Sequence, residues 1–392
     1  MKMKAFILGT SLLCTTFLTQ CSFNRSIESV GPLSSPAVIY QQKREILANS
    51  LLNVRTSSDD NRHCLLEAFF TYSQSDIGKR VISGTDRELS FTPVVTHTNK
   101  YYAMFHPYNN NIRLTTRMFS EEESETGRIQ LIHETLGHEL LHGYQKNQNL
   151  IRGFGLSPSQ FIMTEKLAEA EAYAWDIAHH TNQTKTISNK QIGRLIVELM
   201  KKDTKYGEWQ DTVGEQAISG LRTHAIMGHV SNTGNNNLYN HALNYYQKQY
   251  NIHPTEIASV NLTTTQEAQY LSLCAELRTD GYFSEGEKEL KTKQRAAALF
   301  QNYATNAKSA KDIESYFHQF AMLQSSHVSA AQTLLNINTP AALEALHNLL
   351  QSESIKGDLS KLKPQTRAGQ HVLINIQNKM TRLQDTQKFS RE

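Results

Sequence analysis

The densest chemistry in this sequence lies in Gly137-His138-Glu139-Leu140-Leu141-His142-Gly143-Tyr144-Gln145, where two imidazoles stand four residues apart and a carboxylate follows the first. On an α-helix, positions four apart are separated by about 40° around the axis and by about one turn along it, so both rings can reach a single ion. Glu139 is turned about 100° from His138, beside that ion rather than on it, where its carboxylate can take a proton from zinc-bound water. The HExxH spacing therefore calls for Zn2+, with His138 and His142 as ligands and Glu139 as general base. The preceding His133-Glu134 is not a second copy, because His133 and His138, five apart, face about 140° away from each other. His133 is expected to be a polar surface or interface residue. Glu134 lies one turn before His138, where it could orient that histidine, and solvation is the favoured expectation.

Catalytic zinc takes three protein ligands and keeps one position open. The third is expected from the next helix, which Ser157-Pro158 opens as a cap followed by a first-turn proline. Along Met163-Thr164-Glu165-Lys166-Leu167-Ala168-Glu169-Ala170-Glu171-Ala172-Tyr173-Ala174-Trp175-Asp176, the residues Glu165, Glu169, Tyr173 and Asp176 fall within about 40° of one direction. Glu171 points about 160° away from Glu169 and is expected in solvent. Alanines at 168, 170, 172 and 174 allow close packing on the motif helix, which a side chain as short as Glu needs to reach the metal. Without the upstream motif the same pattern would be an alanine-rich surface helix with a charged face.

HExxHxxQ followed by Glu169-Ala170-Glu171-Ala172 resembles the gluzincin-type zinc metallopeptidases, in particular a bacterial metallopeptidase-like family of unknown function whose downstream motif is typically Glu-Ala-Asp-Ala. The likeness covers roughly residues 60 to 180. It implies His138, His142 and Glu169 as ligands, Glu139 as base, and Gln145 as a polar group that supports a ligand or faces the substrate. Other gluzincins place the ligand one turn earlier, and on that pattern Glu165 is the ligand with Glu169 supporting it. A group to stabilise the oxyanion is also needed, and Tyr173, His224 and His229 are the candidates. His224 and His229 are five apart and would face about 140° away from each other on one helix, unless Gly228 ends that helix first. The implied fold is α+β and predominantly helical: a zincin-like domain with a small antiparallel sheet and a helical C-terminal extension. The implied activity is zinc-dependent hydrolysis of peptide bonds in a protein or peptide substrate. Two rivals stand beside it. One is a non-catalytic zinc-binding envelope protein with a helical scaffold role, against which the retained Glu139 argues; the other is a helical adaptor with a chance motif, which predicts no metal.

The elements that must position these residues are legible in outline. Met1-Lys2-Met3-Lys4 and the apolar run Ala5 to Leu18 form a signal peptide, the run being shorter than the roughly 20 residues of a spanning helix. Leu18-Thr19-Gln20-Cys21 resembles a lipoprotein box with Gln20 as a departure, which makes Cys21 the candidate for lipidation and membrane attachment. The protein is thus expected to be exported, either lipid-anchored in the cell envelope or secreted. Residues 1–21 are read as the signal, 22–38 as a Ser-, Gly- and Pro-containing tether, 39–185 as the metallopeptidase domain and 186–392 as a helical region. Strands are expected around 91–95, 101–105 and 112–116, with Asn109-Asn110-Asn111 as a turn, and Ser120 followed by Glu121, Glu122 and Glu123 as the start of the motif helix. Helices are expected at 192–200, 268–277, 290–303 and 341–350, and a solvated helix or frayed tail from about Lys361. The net charge of +3 has no basic block behind it, so no nucleic-acid partner is expected. Cys64 and Cys274 could form a disulfide, and unpaired core thiols are the favoured expectation.

Overall fold

The computed structural model describes residues 35–98, 101–122, 124–181, 187–201, 207–257, 262–279, 287–324 and 326–351, together with 374, 375, 378, 379 and 381. The signal segment, Cys21, most of the tether, the expected domain boundary near 185 and nearly all of the tail after Lys361 lie outside the described residues. Among the described residues no helix is long and apolar enough to cross a membrane.

The N-terminal part packs helices α1 (Pro36–Leu52), α2 (Asp59–Gln74) and α3 (Asp76–Gly84), a three-stranded sheet, the short α4 (Arg117–Ser120) and the motif helix α5 (Glu125–Asn147). Leu51, Leu65, Phe69, Ile82, Ile112, Leu136 and Leu140 form its core, each less than a twentieth exposed. The sheet is mixed, not antiparallel as the sequence suggested: β1 (Ser90–Phe91) pairs parallel with β3 (Asn111–Leu114), which pairs antiparallel with β2 (Ala103–His106), in the order β1-β3-β2. The expected strand at 91–95 stops after Phe91: Thr92 N still donates to Ile112 O, but Pro93 O accepts from Arg55 N and the next bond to β3 comes from Thr96 N to Leu114 O, before the chain crosses to the far side of β3. Asn110 takes a left-handed conformation (φ 49°) in the turn from β2 to β3. The outer edge of β2 then faces α5 instead of another strand.

The start of α5 also differs from expectation. Ser124, not Ser120, caps it, its Oγ accepting from Gly127 N at 3.0 Å. Ser120 instead closes α4, where Arg117 turns back onto Glu121 at 2.8 Å and takes that carboxylate out of the helix start. Helix α6 (Pro158–Thr181) opens as the sequence indicated: Gln160 N donates to Ser157 Oγ, and Ser157 N donates to Gln160 Oε1 at 3.0 Å.

Every described element after α6 is helical: α7 (Asn189–Met200), α8 (Gly207–Ile226), α9 (Asn236–Tyr250), a single 3-10 turn at Pro254–Glu256, α10 (Thr264–Thr279), α11 (Glu287–Asn306), α12 (Ala310–Gln324), α13 (His327–Leu335) and α14 (Pro340–Leu350). Helix α6 belongs to all three apolar clusters of the molecule. Phe161 and Ile162 join the core of α8 and α10 to α14, Ala172 joins the N-terminal core, and Met163, Leu167, Ala170 and Ala174 pack with Ile192, Ile196, Tyr246 and Tyr250. The alternating alanines thus serve two neighbours, one on each side. Cys64 and Cys274 are free, buried thiols in two different cores.

Gly193 on α7 marks the tightest contact with α9, since a Cβ there would lie 2.4 Å from the carbonyl oxygen of Tyr250. Backbone cannot swing aside as a side-chain tip does, so Gly193→Ala should lower stability by about 2 kcal/mol, read by chemical denaturation. An unchanged midpoint would show that α7 and α9 are not held at this distance.

Candidate metal centre

His138, Glu139 and His142 leave α5 on the side that faces α6, and Glu169 reaches them from there. Glu169 Oε2 stands 3.7 Å from His138 Nε2 and 3.5 Å from His142 Nε2. Zinc–ligand bonds of about 2.05 Å in a tetrahedral shell put donor atoms about 3.4 Å apart, so these spacings suit a common ion. One donor atom from each of the three residues lies within 4.8 Å of the others, and this is the sole such group among the described residues. Glu165 stands outside it. Its Oε1 accepts from Arg152 N at 2.9 Å and its Oε2 lies 3.6 Å from Arg152 Nε, so the earlier carboxylate secures the α5–α6 loop.

The ring nitrogens turned away from Glu169 are each held by an acceptor. His138 Nδ1 meets Asp176 Oδ2 at 2.9 Å, and His142 Nδ1 meets Gln145 Oε1 at 2.8 Å. With Nδ1–H donating in both rings, it is the two Nε2 atoms that converge on Glu169. Gln145, fully buried, is itself held: its Nε2 donates to Ala168 O at 3.0 Å and to Glu171 Oε2 at 2.9 Å.

Glu171 is not in solvent, as its helical direction suggested; it is completely buried. Its Oε1 accepts from Tyr245 at 3.1 Å and from Tyr250, and Arg80 Nη2 lies 3.8 Å away. Tyr250 also receives Arg80 Nη2 at 3.0 Å and Trp175 Nε1 at 3.3 Å. The side chain points away from Glu169, as helical periodicity requires, but helix α9 and Arg80 of α3 occupy that side. A hydrogen-bonded chain thus runs from His142 through Gln145 and Glu171 to α3 and α9.

Glu139 is buried, and its Oε2 accepts from Phe105 N on the outer edge of β2 at 2.6 Å. Tyr173 sets its ring edge-on to His138, 4.7 Å between centroids, and burial together with the nearby Glu169 pushes its hydroxyl far above the ordinary tyrosine range. It stays protonated at neutral pH. Of the two placements expected for His133, surface or interface, the structure has the second: the ring is buried edge-on to Tyr72 and 4.5 Å from His179, because α2 and α6 cover that side of α5. Burial, with His179 alongside, lowers its pKa to about 4. Glu134 is partly exposed and pairs with Gln130 at 3.0 Å and with His180 at 3.5 Å, while Asp176 takes the role of orienting His138. His224 and His229 lie apart from the three donors. Gly228 (φ 79°) ends α8 with His229 N bonded to His224 O at 2.9 Å, which folds the second ring back to within 5.5 Å of the first.

Electrostatics mark the three donors as a coupled unit. Burial would lower the pKa of His138, but Asp176, Glu169 and Glu139 outweigh it and hold the imidazole well above its ordinary value. His142 is raised likewise, against burial, chiefly by Glu169. Burial would raise Glu169, and His142 and His138 overcome it and hold the carboxyl well below the usual range. Sequence reasoning had placed Asp176 on the ligand face without a role; it missed Arg80, Tyr245, Tyr250 and the Phe105 N–H, which no local spacing signals. Comparisons with protein-family models, curated proteins and solved structures return no match to this chain.

Two measurements follow from this geometry. Gln145→Leu and Asp176→Ala should each weaken zinc binding by about 10- to 100-fold in chelator competition, because each frees one ligand ring; unchanged affinity would dissociate these residues from the site. Metal must also displace protons from imidazoles whose pKa is raised, so zinc affinity should increase with pH through neutrality. Calorimetry in buffers of different ionisation enthalpy should report the released protons, and identical heats in all buffers would contradict the assignment.

Proposed function

We propose that this protein is a zinc-dependent metallopeptidase that hydrolyses peptide bonds at His138, His142 and Glu169, with Glu139 as general base. The observation that carries the reading is the convergence of two Nε2 atoms on one carboxylate oxygen at 3.7 and 3.5 Å, each ring fixed from behind and a buried, separately held Glu139 beside them. Two imidazoles and one carboxylate are the ligand set of a hydrolytic zinc site that leaves a position open. A zinc ion bound there supplies Lewis acidity, polarising a carbonyl and lowering the pKa of water to about 7.

The chain's own groups account for the remaining steps. The Phe105 N–H holds Oε2 of Glu139, which leaves Oε1 to take the proton of the attacking water and return it to the departing amine. Tyr173, protonated and against His138, supplies a donor for the developing oxyanion. Asp176 and Gln145 keep both ligand rings in register while charge moves. A structural zinc site would need no base, which disfavours the non-catalytic scaffold as the alternative. The N-terminal cationic and apolar run supports export, with attachment through a lipidated Cys21 or release, so an envelope or secreted peptidase acting on protein or peptide substrates is the coherent reading.

The decisive experiment pairs zinc stoichiometry with hydrolysis of a broad peptide library by the mature protein and by Glu139→Gln. One zinc per chain in both, with hydrolysis reduced by about 10²- to 10⁴-fold in the variant, is expected. Equal activity in the two proteins would sink the catalytic role of Glu139, and absence of metal would sink the site.

A further inference from the structure

Two paths lead away from the metal centre and meet again at a second group of polar side chains. Along the sheet, Tyr108 lies three residues past Phe105, whose N–H holds Glu139, at most about 10 Å of extended chain. Along α6, Glu165 lies one turn before Glu169, about 6 Å down the axis, and it holds Arg152. The two ends converge on His224 of α8. Tyr108 Oη is 2.9 Å from His224 Nε2 and the two rings stack at 5.4 Å. Glu165 Oε2, which faces Arg152 at 3.6 Å, lies 3.4 Å from where a Cβ on Gly220 would stand, one turn before His224 on α8, and Gly155 N, three residues past Arg152, donates to His229 O at 2.8 Å.

This group has donors left over. Among the described residues the guanidinium of Arg152 makes no hydrogen bond; its one ion-pair partner, Glu165, lies 3.6 Å from Nε, and burial raises the pKa of that carboxyl despite Arg152. His224 is 3% exposed, and its Nδ1 has no partner. Burial, followed by Arg152 and His229, lowers the pKa of His224 to about 3, so the ring is neutral and carries one N–H. If Tyr108 donates to Nε2, that N–H sits unpaired on Nδ1. If Nε2–H donates to Tyr108, the tyrosine hydroxyl keeps its hydrogen, with only a long 3.5 Å contact to His229 Nδ1 to receive it. Beside these donors stand two aromatic rings left in solvent, Tyr108 at 46% and Phe154 at 66% exposed, with His229 packed 4.5 Å from the latter.

We infer that Arg152, Tyr108 and His224 form a recognition subsite for the free C-terminal carboxylate of a peptide, with Tyr108, Phe154 and His229 receiving an aromatic terminal side chain. A planar, permanently charged guanidinium matches a carboxylate in geometry and sign, and the neighbouring neutral donor supplies a second hydrogen bond. Glu165, which holds Arg152, lies one turn from Glu169 on α6, so a peptide whose carboxyl end meets Arg152 would have its scissile bond within a few residues of that end. The substrates are thus short peptides or chain ends, trimmed near their carboxyl terminus. This rests on the metallopeptidase reading, but the recognition of the carboxylate can be measured without turnover.

The probe is a tripeptide with an acetylated amino end and a terminal phenylalanine, prepared both as the free acid and as the amide, and titrated into the zinc-loaded Glu139→Gln protein by calorimetry. The free acid should bind about 10-fold more tightly than the amide, as expected of a charge-assisted hydrogen bond. Arg152→Gln should bring the ratio to about one, with Arg152→Lys intermediate. Tyr108→Phe, a change on an exposed ring, should lower the ratio without disturbing the fold and so covers the case of an unstable Arg152 variant. Equal binding of acid and amide, or binding of neither, overturns the subsite. Zinc-dependent cleavage of a longer peptide blocked at its carboxyl end, at the same rate as its free acid, would overturn it while leaving the peptidase reading intact. Acid-selective binding in a protein that hydrolyses nothing would do the reverse.

Discussion

One helix brings several carboxylates into the interior, and most of the site follows from satisfying them. On α6, Glu165 and Glu171 are 3% and 0% exposed, while Glu169 and Asp176 are largely covered. An uncompensated buried charge costs several kcal/mol even after relaxation, so each carboxylate must find a cation, a proton or donors. Each finds a different answer: Arg152 for Glu165, two imidazoles for Glu169, two tyrosines with Gln145 and Arg80 for Glu171, and His138 for Asp176. Only at Glu169 do two imidazole nitrogens meet one carboxylate oxygen, an arrangement that could hold a metal ion in place of the protons, whereas Asp176 meets a single ring from behind.

The position of α6 between three cores explains how such a helix is tolerated. Its alanines allow α5 on one side and α7 and α9 on the other to approach closely, so apolar contact surrounds the polar face. The C-terminal helices are therefore part of the site's construction. Tyr245 and Tyr250 of α9 touch none of the three donors, yet through Glu171 and Gln145 they fix the ring of His142. Displacing α9 would leave Glu171 buried without two of its donors, and the lost hydrogen bonds would be felt at His142.

The small sheet acts through its edge. Past β1 the chain crosses over β3, and the outer edge of β2 faces α5. The Phe105 N–H would be an orphan there without an acceptor, and Glu139 supplies one. Backbone satisfaction and the orientation of the Glu139 carboxylate are one interaction, which ties the register of three short strands to the chemistry proposed for the site.

Much of this was determined by local sequence. The spacing of His138, Glu139 and His142, the helix start at Ser157-Pro158, the shared direction of Glu169, Tyr173 and Asp176, and the helical character of the chain after His180 depend on periodicity and capping, which act over a few residues. Tertiary structure decided what local rules cannot reach. It favoured Glu169 over Glu165 because Arg152, from a loop, had already engaged the latter. It buried Glu171 because a helical wheel gives a side chain's direction but not its neighbour, and α9 lay where solvent was expected; for His133 it decided between surface and interface by packing α2 and α6 over the ring. It moved the start of α5 from Ser120 to Ser124 and made the sheet mixed, because which serine meets a free helical N–H and which strand lies beside which depend on the path of the chain and not on the residue preferences of those segments. Sequence specified His138, His142 and Glu169 as a group that could hold a metal, and only packing across more than a hundred residues of chain brought Tyr108 and His224 together.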